Sequence, residues 1–129
     1  QVPFAKVIGT TGFQFYFDLP NDNIWFGGNC AGIGWRYAKI AYVQETALWH
    51  HLVGRLTGST LSIFLDNVQG IDEVTAGPFN PSTCNLTIGN RNFYFTKTWW
   101  WGVIDQAVFY NTVLDIPTIQ RHSARRYSL

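Results

Sequence analysis

Apolar and polar residues alternate with a period of two along most of this chain, and this alternation limits the folds that it can adopt. In residues 12–18, Phe13, Phe15 and Phe17 fall on one side, with other residues between them. Residues 61–66 repeat the pattern. Because successive side chains of a β-strand point to opposite faces, the pattern predicts strands that are buried on one face.

Six segments are predicted to be strands, and clusters of turn residues separate them. The strand candidates are residues 12–18, 36–43, 47–56, 61–66, 85–89 and 99–110. The predicted turns are Pro20–Asn23, Gly27–Asn29, Thr57–Ser59 and Gly77–Pro78. Repeated short strands with turns between them favour an antiparallel sandwich.

The end of the chain departs from the alternation. Asp115 is a good helix N-cap, and Pro117 falls in the first turn, where its missing N–H costs no hydrogen bond. A short helix is therefore predicted over about residues 116–124. Together with the strands, this predicts an all-β fold of two antiparallel sheets with one short C-terminal helix.

Composition bounds the domain and its partners. A length of 129 residues predicts a single domain over residues 1–129. Apolar residues make up 47% and charged residues 13%, which excludes a disordered chain and a coiled coil. The net charge of +1 is too small for the basic surface of a protein with a nucleic-acid partner. No apolar run reaches the roughly 18 residues of a membrane span, so membrane insertion is not expected.

The two cysteines and one sequon favour an oxidising, extracellular setting. Cys30 and Cys84 lie in loop-like contexts, and a disulfide between them would close a loop of about 55 residues, a stabilisation on the order of 4 kcal/mol. The alternative is a pair of buried free thiols. Asn85 begins an Asn-Leu-Thr sequon and is a candidate N-glycosylation site.

Three segments of the chain, taken in order, resemble a known family. The first has Trp-His-His at residues 49–51 and leads into a strand that ends at Asp66. The second ends in Ile-Gly at residues 88–89, and the third reads Gly-x-Ile-Asp over residues 102–105 before the short helix. This order resembles the laminin-G-like and pentraxin-like branch of the concanavalin A-like jelly rolls, over about residues 12–124. The resemblance implies a two-sheet jelly-roll sandwich.

The resemblance also implies a missing partner for the last strand. Members of the family usually have further strands before the point where this chain begins, so the domain is expected to be trimmed or to obtain them from elsewhere. Residues 99–110 would then leave an apolar edge, which recruits other strands. We expect a strand-sharing neighbour chain or an oligomer. The alternative is that residues 1–8 fold back as the partner.

Catalytic groups are scarce in the sequence. Glu45 and Glu73 are the only glutamates, and the Glu-x-Asp-x-Glu pattern of related glucanases is absent. No Gly-x-Ser-x-Gly elbow occurs either. We therefore expect no enzyme. Of the family-matched run, Trp49 is expected in the core, and one of the two following histidines is expected to face inward with a hydrogen bond.

Aromatic residues are the candidate ligand contacts. Flat rings can stack on the apolar faces of sugars, although large rings also fill cores and interfaces. The candidates are Trp25, Trp35, Tyr94, Trp99, Trp100 and Trp101.

An oxygen-rich stretch is the candidate metal site. The family often holds Ca²⁺ on loops, and this ion needs six to eight oxygen ligands. The candidates are Asp18, Asn21, Asp22 and Asn23. The alternative is an ordinary turn, which uses the same residue types. Apart from Ca²⁺, no cofactor is expected.

These features predict a non-catalytic binding or adhesion module that recognises glycan or protein. It is expected to be extracellular or to lie on a cell or virion surface. The alternative is a structural subunit of an extracellular or viral assembly. A glucanase-related enzyme is the weaker alternative.

Overall fold

A computed structural model describes residues 1–45, 48–93 and 96–125 of the chain. The described residues form short β-strands, and one α-helix follows them. The elements are β1 (Phe4–Ile8), β2 (Thr11–Asp18), β3 (Asn23–Cys30), β4 (Gly34–Ala41), β5 (Leu52–Thr57), β6 (Thr60–Leu65), β7 (Val68–Gln69), β8 (Glu73–Val74), β9 (Thr87–Ile88), β10 (Asn90–Phe93), β11 (Thr96–Trp99) and α1 (Ile116–Ala124). A 3-10 helix, Leu19–Asn21, connects β2 to β3.

The larger sheet contains five antiparallel strands in the order β4-β3-β2-β1-β9. Strands β1 and β2 form a hairpin in which Ile8 pairs with Thr11. Strand β3 pairs along its whole length with β4, from Asn23 opposite Ala41 to Cys30 opposite Gly34. The alternation in residues 12–18 therefore places alternate residues of β2 on opposite faces of this sheet.

The smaller sheet has the order β5-β6-β7, and β8 also pairs with β6. A two-residue turn, Asp66-Asn67, joins β6 to β7, so that Leu65 pairs with Val68. Asp66 and Asn67 have φ values of 49° and 73°. Two successive left-handed residues are typical of a tight hairpin turn, and Asp and Asn tolerate this conformation.

The main core lies between the inner faces of the two sheets. The larger sheet contributes alternate residues of β2, β3 and β4, and the smaller sheet contributes β6. The buried side chains of this core are Phe17, Ile24, Phe26, Ala38, Ile40, Leu61 and Ile63. The prediction of a two-sheet antiparallel jelly-roll sandwich with one short helix is thereby confirmed.

Helix α1 begins and ends at the predicted residues. The Asp115 carboxylate accepts a hydrogen bond of 2.9 Å from the Thr118 N–H, which is the predicted N-cap. Ile119 is fully buried, and the Arg55 guanidinium donates to the carbonyl oxygen of Leu114 just before the helix. Within the described residues, no helix has the length and hydrophobicity required to cross a membrane.

The turn predicted at Gly27–Asn29 is wrong, because these residues lie inside β3. The glycines are present because main-chain atoms and rings approach this part of the strand closely. A Cβ added to Gly27 would meet the Arg36 carbonyl oxygen and lie 2.8 Å from the Tyr37 ring, and one added to Gly28 would lie 2.7 Å from the Phe79 ring. Close approach of main chain and side chains, and not a reversal of the chain, explains both glycines.

The strand predicted over residues 99–110 is wrong beyond Trp99, which ends β11. Residues 100–114, which we call the closing segment, form no strand. Gln106 has a φ of 49°, and its N–H donates to the Asp105 carboxylate, whereas the chain bends at residues 111–112. Residues 1–8 are not its strand partner, because β1 pairs with β2 and β9 instead.

Candidate ligand-binding site

Four aromatic residues lie side by side on the outer face of the larger sheet. They come from β2, β3 and β4, at positions that alternate with the core residues Phe17, Phe26 and Ala38. Because side chains alternate between faces, the four rings face away from the smaller sheet. We call Tyr16, Trp25, Tyr37 and Trp35 the aromatic row.

The rings of the aromatic row are in contact along its length. Ring centroids are 6.2 Å apart for Tyr16 and Trp25, and 5.4 Å apart for Trp25 and Tyr37. Trp35 and Tyr37 are nearly parallel, with centroids 5.7 Å apart and an interplanar angle of 8°. All four side chains are partly exposed, so the row presents aromatic surface to solvent.

Small and buried residues lie beside and beneath the rings. Gly27 pairs with Tyr37 across β3 and β4 and leaves room for its ring. The buried Gln14 amide donates a 3.3 Å hydrogen bond to the Tyr37 hydroxyl. Tyr16 and Trp35 also pack against a small buried cluster of Val2, Ala5 and Val7. These contacts fix the positions of the rings.

A shallow open depression of about 450 Å³ adjoins the row at the edge of β4. Its lining combines three rings of the row with charged groups, namely Trp25, Trp35, Arg36, Tyr37, Lys39 and Glu73. The Arg36 Nε lies 3.5 Å from a Glu73 carboxylate oxygen, and both side chains are 38% exposed. An ion pair this exposed contributes at most about 1 kcal/mol. Either partner can therefore leave this ion pair to bind a polar ligand.

The indole N–H of Trp25 lies beneath this surface. Its nitrogen is buried and has no hydrogen-bond partner among the described residues. An indole N–H can only donate, so it requires an oxygen acceptor. Aromatic faces with a few fixed polar groups are the usual composition of a small-molecule site.

The other predicted ligand residues are not part of the aromatic row. Trp100 packs against Phe17 on the inner face, with ring centroids 4.8 Å apart. Trp99 is 52% and Trp101 81% exposed, and neither lines the depression. Tyr94 lies outside the described residues.

The predicted metal residues form the turn between β2 and β3. The Asn21 amide donates to the Asp18 carboxylate at 2.8 Å, and the Asn23 amide donates to the Asn21 carbonyl at 2.5 Å. Asp22 has a φ of 49° and ends the 3-10 helix. Across the described ranges, no group of three or more His, Cys, Asp or Glu residues is placed to hold a metal ion.

The disulfide predicted between Cys30 and Cys84 is not formed, because both residues are free thiols. Cys30 is buried at the end of β3, whereas Cys84 lies in the loop beside β1, where its carbonyl oxygen accepts from Lys6. Burial raises the pKa of the Cys30 thiol, which lowers its reactivity.

Two further predicted residues have contrasting surroundings. Asn85 is exposed in the loop before β9, which is the placement that an N-glycosylation site needs. Trp49, expected in the core, is 39% exposed instead. It precedes β5 by three residues, outside the pairing that forms the smaller sheet.

One histidine faces inward, as expected. The His50 Nδ1 lies 2.6 Å from one Asp66 carboxylate oxygen, and the other oxygen accepts from the His51 N–H at 2.9 Å. Asp66 thereby ties the β6–β7 turn to the start of β5. This arrangement is structural, since it uses both carboxylate oxygens to connect strands.

The sequence did not predict five residues of the site, namely Tyr16, Arg36, Tyr37, Lys39 and Glu73. Residues 12–18 and 36–43 were predicted as strands. Alternation within them places Tyr16 on the face opposite Phe13–Phe17, and Tyr37 and Lys39 on a common face. The missing information was that residues 23–30 form a strand. Without β3, the sequence offered no reason to bring Tyr16, Trp25 and Tyr37 together.

The two antiparallel sheets have the architecture of a jelly-roll sandwich. A laminin G-like family model of the concanavalin A-like lectin/glucanases superfamily matches residues 2–120. The chain therefore belongs to this family.

One solved structure shares the fold. It is an S-layer domain-containing protein from Clostridium thermocellum, 15% identical, with a TM-score of 0.55 over 89% of this chain. The match covers 58% of that chain, and at this identity it shows the fold alone. No curated protein matches the chain.

Proposed function

We propose that this protein is a non-catalytic binding module that recognises glycan through the aromatic row. The observation that carries the proposal is the contact of four partly exposed rings on one face, beside a depression with charged side chains. The module acts outside the cell, at a cell or virion surface. The laminin G-like family and a fold shared with a protein named for an S-layer domain support this location.

The chemistry of the row suits a sugar. Aromatic faces carry negative electrostatic potential, which attracts the weakly positive C–H groups on the apolar faces of sugar rings. The polar edge of the same sugar needs hydrogen-bonding groups, which Arg36, Lys39 and Glu73 supply at the rim. Preorganised rings lower the entropy cost of binding.

The carboxylates support a role without catalysis. Glycosidic hydrolysis needs two carboxyl groups across one sugar bond. Here Glu73 pairs with Arg36, Asp72 accepts from the Gln69 amide, and Asp66 is held by His50 and His51. These three carboxylates thus have separate partners. Incubation with soluble glucans is expected to release no reducing sugar.

The binding test uses a panel of neutral and acidic polysaccharides, with isothermal titration calorimetry and tryptophan fluorescence as readouts. Trp35→Ala and Trp25→Ala are expected to weaken binding by at least about tenfold, or about 1.4 kcal/mol. Lys39→Ala, at an exposed rim position, is expected to weaken binding without affecting folding.

Trp101→Ala is the matched control, because Trp101 is 81% exposed and lies outside the row. It removes the same side chain and is expected to leave affinity unchanged. Loss of binding in this variant, or full affinity in Trp35→Ala with the fold intact by circular dichroism, would contradict the proposal. A chain that binds no polysaccharide of the panel would also contradict it.

A structural role in an extracellular or viral assembly is the second candidate. The observation in its favour is the exposed apolar surface of the closing segment, where Trp101 is 81% and Val103 74% exposed. Its test is the oligomeric state of the purified chain.

A further inference from the structure

The aromatic row crosses three neighbouring strands of the larger sheet. It begins at Trp35 on β4, which is an edge strand, and ends at Tyr16 on β2. Trp35 pairs with Asn29 of β3, and Trp25, four residues before Asn29, pairs with Tyr16. Four residues along a strand and two strand spacings place the main chains of Trp35 and Tyr16 roughly 17 Å apart.

The rings follow one another over this whole distance. From Trp35 to Tyr16, successive ring centroids are 5.7, 5.4 and 6.2 Å apart. These three steps together are about as long as the main-chain span, as expected for a row without a sharp bend. One six-membered sugar ring has about the dimensions of one phenyl ring, so a single sugar covers only part of the row. A ligand that uses every ring must contain several sugars.

Among the described residues, both ends of the row are open to solvent. Trp25, Trp35 and Tyr37 line the open depression, and the row continues beyond it to Tyr16, which is partly exposed. At the other end, Trp35 lies next to the turn between β3 and β4, where residues 31–32 are exposed. A site that recognises the end of a chain must be closed on one side, whereas a surface open at both ends lets a longer chain pass through.

Charged groups flank the row along its side. Lys39 pairs with Trp25 directly across β3 and β4, and its side chain is exposed. Arg36 and Glu73 form their exposed ion pair beside the same depression. Groups in these positions can bind the hydroxyls along the edge of a sugar chain, which recur with each sugar.

Resting on the glycan binding proposed above, we infer that the aromatic row binds a linear polysaccharide lengthwise, several sugars at a time and within the chain, not at its end. The rings are held in one row and the sugars are joined in one chain, so each further sugar meets the next ring at a high effective concentration. Affinity should therefore rise with the number of sugars until the chain covers all four rings, and then level off.

The first test measures affinity against ligand length on the unmodified protein. Oligosaccharides of two, four and six sugars, prepared from cellulose, xylan, mannan and alginate, are titrated by isothermal calorimetry. In a series that binds, affinity is expected to rise at least about tenfold from two to four sugars, because linked contacts reinforce one another. It is expected to change little from four sugars to six, because the row has then no further ring to offer.

The second test measures where on the chain the protein binds. Polymers of graded length, prepared from the polysaccharide that binds, are titrated with the protein. Binding within the chain places more protein molecules on a longer polymer, so the number bound per polymer should rise in proportion to its length. Binding at a chain end would keep this number at one for every length.

A variant at the end of the row tests whether its full length is used. Tyr16→Ala removes the last ring and should reduce the gain in affinity between two and four sugars, while the affinity for two sugars, which the other three rings still hold, stays nearly unchanged. Tyr16→Phe is the matched control, because it retains the ring, and it should leave the gain intact. Circular dichroism checks that Tyr16→Ala is folded, since this side chain packs against the buried Val2, Ala5 and Val7.

The outcomes separate lengthwise binding from glycan binding itself. If no polysaccharide or oligosaccharide binds, both are wrong. If glycan binds and Trp35→Ala weakens it, but two sugars bind as tightly as six, glycan binding stands and lengthwise binding is overturned. One protein molecule per polymer at every length overturns it as well, as does a full gain in affinity in folded Tyr16→Ala.

Discussion

Replacing Gly27 with alanine should destabilise the protein, although alanine is usually the better residue inside a strand. The added Cβ would meet the main-chain carbonyl of Arg36 and would lie 2.8 Å from the Tyr37 ring. Main-chain atoms cannot move aside as the end of a flexible side chain can, so β3 and β4 must separate or the ring must leave its position. Either change disturbs the aromatic row.

Two opposing terms set the size of this effect. Removing the flexibility of glycine from the unfolded chain stabilises by about 0.4–1 kcal/mol when the folded site accepts the new side chain. Overpacking costs about 1–3 kcal/mol. Because the Arg36 carbonyl cannot move aside, the overpacking cost is expected in the upper half of its range. The net loss is then about 1–2.6 kcal/mol, which lowers the melting temperature by roughly 4–10 °C for a chain of this length.

Urea unfolding followed by tryptophan fluorescence measures the loss. Gly77→Ala is the control, because a Cβ at Gly77 has no neighbour within 4 Å. That variant is expected to be as stable as the unmodified protein or slightly more stable. If Gly27→Ala were as stable as the unmodified protein, the Tyr37 ring would not lie over Gly27, and the geometry given for the aromatic row would be wrong.

Three further predictions concern the cysteines, the helix and the turn. Thiol titration of the unfolded, unreduced protein should find two thiols, and a titre of zero would show that the disulfide is formed after all. In the folded protein, Cys84 should react before the buried Cys30. Hydrogen bonds from the side chain and main-chain N–H of Thr118 lower the pKa of Asp115. The ionised Asp115 carboxylate therefore stabilises the fold above its pKa in the unfolded chain, and this stabilisation should disappear as the pH falls through the acid range. In thermal melts, Asp115→Asn should show a flatter dependence of stability on pH. Asp66→Ala leaves the contacts of both histidines without their acceptor and should lower the free energy of unfolding in urea by about 2–4 kcal/mol. A decrease below about 1 kcal/mol would contradict the structural role given to this carboxylate.

The sequence predicted the parts of the fold in which local pattern and burial agree. Helix α1 was predictable because its cap, its proline and its length are all local features. Strand β2 was predictable because one of its faces lies in the core and the other does not. In both cases the neighbours in sequence carry enough information.

The failures share a different physical cause. Gly27 and Gly28 are typical of a turn, yet rings from Tyr37 and Phe79 require them in the middle of a strand. The closing segment has the composition of a strand but no partner within the described residues. The aromatic row was only partly predicted, through Trp25 and Trp35, because its assembly depends on the pairing of β2, β3 and β4. Each feature depends on contacts between residues that are distant in sequence.

The pairing of β1 with β9 has a consequence for the order in which this chain folds during synthesis. One edge of β1 can pair with β2 as soon as both strands have been synthesised. The other edge must wait for Thr87 and Ile88, which pair with Ala5 and Phe4. At about 5–20 residues per second, that edge stays open on the nascent chain for roughly 4–16 s. During this interval the hairpin exposes an unpaired strand with Phe4 and Ile8 beside it. Slower translation lengthens this exposure, so the yield of folded protein should depend on how quickly residues 9–88 follow the first strand.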